Sequence, residues 1–150
     1  MAGEEAVGEA RLSDLDFDRL DAELTTVAYH EAGHAVAHAA LGLPLHHATI
    51  VPDEEAGSLG HVWGSMVGLG QLLDAGAHGA GEEERVRREI VTCLAGRHAE
   101  GLRQRFGEAS VFPPASSQSD RGQAWDLALA ISGDADEAEL ILRWLDYRAA

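Results

Sequence analysis

Tyr29-His30-Glu31-Ala32-Gly33-His34-Ala35 is the stretch on which the reading of this chain turns. It holds two histidines four residues apart, with a glutamate directly after the first. On a helix of 3.6 residues per turn, positions i and i+4 stack on one face. His30 and His34 can then aim two ring nitrogens at one metal ion, the His-Glu-x-x-His arrangement of zinc hydrolases. Glu31 sits beside such an ion without binding it, placed to take a proton from water. The flanks predict a helix over 25–41. Thr25 or Thr26 serves as N-cap, alanines and leucine fill the turns, Gly42 stops the run and Pro44 follows. Gly33 costs about 1 kcal/mol against alanine, which implies that something approaches the helix closely there. The alternative is a buried, hydrogen-bonded histidine pair. Eight histidines in 150 residues make a pair four apart easier to meet by chance, and His34 and His38 form a second one.

Composition narrows the function classes. A length of 150 residues suffices for one domain with a real core. The net charge is −15, from 26 acidic and 11 basic residues, which argues against a nucleic-acid partner. All the basic residues are Arg, so a phosphate-loop lysine and a Schiff-base lysine are excluded. The lone Cys93 cannot form an internal disulfide and lies in an apolar helical pattern, as a core residue would. The acidic N-terminus lacks the pattern of a signal peptide, and the uncharged stretches 32–52 and 56–73 are too broken by Gly, His or Pro to span a membrane. A cytoplasmic location with no membrane partner is the expectation.

The remaining chain reads as mainly α with one small β element. Residues 1–13 form a mobile acidic N-terminus, and 14–150 one domain. Leu15, Phe17, Leu20 and Leu24 suit a short helix that runs into the motif helix. Gly42–His47 reads as a turn, 48–51 as a strand closed by Pro52, 53–57 as an acidic turn and 58–63 as a second strand. Residues 64–81 are Gly-rich and carry no clear pattern. A second long helix spans 82–106, with Glu82, Glu83 and Glu84 at its positive end and Val86, Ile90, Leu94, Leu102 and Phe106 as its stripe. A loop over 107–117 leads to a third helix, capped by Ser119 and ending at Gly133. A last helix covers 134–148.

A catalytic zinc ordinarily takes three protein ligands and keeps a position for water. A third His six residues past the second would fall on Ala40, so that pattern fails. His38 lies a further turn along and drifts out of reach. Glu54 and Glu55 fall in a turn, Glu100 on the second helix and Asp120 at the start of the third. Spacing alone does not choose among them.

Four segments in order resemble the protease domain of the FtsH-type AAA metalloproteases. They are Ala28-Tyr29-His30-Glu31-Ala32-Gly33-His34-Ala35-Val36; Ala48–Pro52 followed by Leu59-Gly60; Leu94–Glu100, similar to a Gly-Gly-Arg-x-Ala-Glu helix; and Ser117–Asp120 followed by Ala124 and Leu127-Ala128. The resemblance covers about 25–131. It implies a helical metalloprotease domain with its small β element between the motif helix and the second long helix. It implies Asp120 as third zinc ligand and Glu100 as the residue that orients a ligand. It also implies an edge strand at Leu59-Gly60-His61-Val62 that takes the substrate as a further strand. The departures are Arg121 for Leu, Ala95 for Gly and Gly101 for a second Glu. The family's ATPase and membrane parts are absent from the sequence, so the resemblance implies a stand-alone protease domain. Its substrate would be peptide or unstructured protein, with a separate ATPase or a homo-oligomer as a further partner. Two functions fit: a Zn²⁺-dependent peptidase with Glu31 as base, and a silent metal-binding or interaction domain on the same fold.

Overall fold

A computed structural model describes residues 17–52, 60–64, 79–106 and 115–150. Among these it has four helices and two strands: α1 (Phe17–Ala40), β1 (Leu45–Thr49), β2 (His61–Gly64), α2 (Ala80–Arg105), α3 (Ala115–Ile131) and α4 (Ala135–Ala149). The mainly helical architecture and the place of the small sheet agree with the sequence reading. The expectations for 1–13, the 53–57 turn, Leu59, most of the Gly-rich stretch and the 107–114 loop lie outside the described residues.

α1 is one continuous helix, so neither Thr25 nor Thr26 is its N-cap: both lie inside it, their hydroxyls donating to the Asp21 and Ala22 carbonyls at 2.7 and 2.8 Å. It ends where the sequence placed its stop, in a Schellman motif: Leu43 N–H donates to the His38 carbonyl at 2.9 Å and Gly42 N–H to Ala39 at 3.3 Å. Gly42 takes φ +66°, the left-handed conformation that this motif requires. Leu43, one residue on, is buried and closes the turn.

β1 begins at Leu45, three residues before the expected Ala48, and ends before Ile50 and Val51. Pairing decides this, not propensity. β1 and β2 run antiparallel with Thr49 opposite His61, Ala48 opposite Val62 and His47 opposite Trp63, and a bulge between Leu45 and His47. Ile50 and Val51 lie past the last pair and are exposed. α3 likewise starts at Ala115, ahead of the Ser119 cap that the sequence suggested.

The core lies between α2, α3 and α4. Val86, Ile90 and Leu94 meet Ala124, Leu127 and Ala128 and then Ala138, Ile141, Leu142 and Leu145. The apolar stripe of α2 does not continue inward to its end, since Leu102 and Phe106 are exposed. Leu140, Trp144 and Tyr147 face outward on α4. Cys93 packs against the core, and burial, with the charges of Asp120 and Glu89, pushes its thiol up to about 12. No described helix is long and apolar enough to cross a membrane.

α1 packs along α2 through small residues. A Cβ on Gly33 would lie 2.7 Å from the Ala95 carbonyl oxygen, 2.8 Å from Ala99 Cβ and 3.0 Å from Gly96 Cα. This is the close approach that the mid-helix glycine implied. Arg103 fastens the far end, its Nη1 donating to Thr26 Oγ1 at 2.5 Å.

Candidate metal centre

Three helices supply the site. α1 gives His30, Glu31 and His34, all buried; α2 gives Glu100 and the Thr92 carbonyl; the first turns of α3 give Asp120. The narrow α1–α2 crossing leaves room for two imidazoles only because Gly96 has no side chain. A Cβ there would stand 2.6 Å from His34 Nε2 and 2.7 Å from His30 Cε1.

Each histidine is oriented through its Nδ1. His34 Nδ1 donates to the Thr92 carbonyl at 2.7 Å, and His30 Nδ1 to Glu100 Oε1 at 2.6 Å. A carbonyl only accepts, so His34 carries a proton on Nδ1, and the Glu100 carboxylate requires one on Nδ1 of His30 as well. Both Nε2 atoms then face one point. They lie 3.0 Å apart, and Asp120 Oδ2 is 2.8 Å from His30 Nε2 and 3.3 Å from His34 Nε2. Tetrahedral bonds of about 2.0–2.1 Å hold ligand atoms about 3.3 Å apart. Two imidazoles and one carboxylate, facing one another at nearly that spacing with their outer atoms hydrogen-bonded, fit a divalent zinc ion once His30 gives up its Nε2 proton. Among the described residues this is the one group of three such side chains that could hold a metal.

Without a metal the same cluster holds a proton on His30, which a cation would have to displace. Burial pulls the His30 pKa down, but its hydrogen bonds to Asp120 and Glu100 carry it up to about 9. Burial pushes Asp120 up, and the hydrogen bonds and charges of His30 and His34 outweigh it, leaving the carboxyl below its usual range. Glu31 is raised by burial, with the charges of His34 and His30 pulling the other way. A carboxylate with a raised pKa beside a cation site is suited to accept and return a proton.

The structure brings His30, His34, Asp120 and Glu100 together and sets Glu31 beside them. His38 is not in the group: it is buried, and its ring lies over Gly64. Glu54, Glu55 and His78 lie outside the described residues. His98 pairs with Asp146 on α4 at 2.8 Å, and His46 and His47 are exposed on β1. Arg121 is exposed. Of the expected substrate edge, Gly60, His61 and Val62 are described, and β2 pairs with β1. Sequence reasoning missed the Thr92 carbonyl, for which no residue signal exists, and the contact of Gly60 with Glu31.

No protein-family model matches the chain, and no solved structure does. It is similar to the ATP-dependent zinc metalloprotease FtsH of Pseudomonas putida, with 33% identity over 130 residues. The match takes in 85% of this chain and 17% of that protein, so the chain spans under a fifth of the relative's length. At that distance the similarity supports a relationship to a zinc metalloprotease, in line with the four motifs and with a His-His-Asp cluster able to hold a metal.

Proposed function

We propose that this chain is a zinc-dependent peptidase that cleaves peptides or unstructured protein in the cytoplasm. The observation that carries this reading is the convergence of His30, His34 and Asp120 beside the buried Glu31. These three would hold Zn²⁺, with Glu100 and the Thr92 carbonyl fixing the imidazoles. When bound, zinc lowers the pKa of its water towards about 7 and polarises the peptide carbonyl. Glu31 takes the proton from the attacking water and passes it to the departing amine, which leaves as a neutral group. Burial keeps bulk water from competing for that proton. The substrate backbone is assigned to the β2 side, along His61 and Val62, because strand addition holds a peptide extended. A separate ATPase or a homo-oligomeric assembly is the proposed partner for folded substrates.

The test joins two measurements, bound zinc by elemental analysis and cleavage of casein. One zinc per chain with cleavage, and one zinc without cleavage in Glu31→Gln, is the expected result. Cleavage by the zinc-loaded Gln variant would remove Glu31 from the mechanism. Stoichiometric zinc with no cleavage by the parent would instead favour a metal-binding module.

A further inference from the structure

α1 turns two faces to two neighbours. At 100° per residue, Val27, Glu31 and His38 fall within about 40° of one another. This sector meets β2, whereas Thr26, His30, Gly33 and His34 meet α2. Two glycines, Gly60 just before β2 and Gly64 at its end, come close to this sector. A Cβ on Gly60 would stand 3.0 Å from Glu31 Cγ, 2.8 Å from Val27 Cγ1 and 2.9 Å from the Thr49 carbonyl oxygen. A Cβ on Gly64 would stand 2.7 Å from His38 Nε2 and closer still to its Cε1. The bare Cα atoms of Gly60, just before β2, and of Gly64, at its end, are therefore part of the wall against which this face of α1 rests.

We propose that Gly60 is a positioning residue for Glu31. The inference rests on the peptidase reading and assigns Gly60 a different part from the one its place in an edge strand suggests. Its missing side chain makes room for the base, not for a second backbone. Glu31 has three side-chain torsions, and a base must be held within about 0.5 Å of its working place. Gly60 supplies that restraint by contact with Cγ, on the side of α1 away from Gly96. Val27 and the Thr49 carbonyl close the same pocket, so Gly60 has little freedom to retreat. Any side chain at 60 must either push the Glu31 carboxylate out of place or lift β2 from α1.

The test is Gly60→Ala in the full chain. Zinc content should stay at the parent level and KM for an unstructured peptide within about twofold, while kcat falls about 10–100-fold, the scale of a 1 Å misplacement. A raised KM with kcat unchanged would assign Gly60 to the substrate and overturn the proposal. Thermal unfolding gives a second readout that does not depend on activity. Glu31→Ala trims the side chain to Cβ and empties the space facing residue 60. Gly60→Ala should lower Tm by several degrees beside Glu31 and by clearly less beside Ala at 31. An equal loss in both backgrounds would overturn the proposal. If Gly60→Ala does not fold, the same pair of measurements is made in a Val27→Ala background, which opens space beside residue 60. A parent chain that binds zinc and does not cleave overturns the peptidase reading, and the unfolding comparison still decides whether Gly60 braces Glu31.

Discussion

Gly96 has the least tolerance of any residue in the site, because both imidazoles occupy the space a side chain would need. Gly96→Ala should weaken zinc binding at least about tenfold, since it displaces ligands instead of removing them. Competition with a chromogenic chelator measures this. Glu100 acts from the other side of His30, and Glu100→Gln should cost about 10–100-fold in zinc affinity by the same assay. His30 and His34 were legible because helical period alone brings them together, and Glu31 because it follows His30 directly. Asp120 was not legible from spacing: it lies 90 residues from His30, and the packing of α3 on α2 brings the two together. The motif resemblance singled it out. The Thr92 carbonyl could not be read at all, because every residue carries a main-chain acceptor.

The helices were legible where their ends carry chemistry, whereas the starts expected at Thr25 or Thr26 and at Ser119 fall inside α1 and α3. Asp134 caps α4, accepting from Glu137 N–H at 2.8 Å, and Glu137 reaches back to accept from Gly133 N–H. Asp134→Ala should cost about 1 kcal/mol in urea unfolding. Gly42→Ala should cost about 1–2 kcal/mol, because an L side chain must enter the left-handed region. The strands were less legible. Ile50-Val51 is the most β-prone pair nearby, yet β1 stops short of it because Thr49 opposite His61 is the last pair. A two-stranded sheet is set by its partner and by what it rests on, and neither is written in a five-residue window.

At the scale of the whole molecule, the site ties α1 to the α2–α4 core. Filling it should stabilise the fold, and a chelator should lower the Tm of the zinc-loaded chain. The effect has a pH direction. His30 has a folded-state pKa raised from 6.5 to about 9. In the metal-free chain its contribution to stability is complete below 6.5 and is lost as pH rises through about 9. Zinc needs the same imidazole deprotonated, so its grip strengthens over that range. The fall in Tm on adding chelator should therefore be larger at pH 8.5 than at pH 6.5, and differential scanning fluorimetry at the two values checks it. The two-faced packing of α1 also bears on how such chains can change length over evolution. One residue inserted between Thr26 and His38 would turn one face by about 100° relative to the other and separate the ligands from the wall behind the base. Insertions and deletions among related zinc-binding chains should therefore fall outside 26–38, and an alignment gap within that span in a chain that still binds zinc and cleaves would show that the two faces can drift apart.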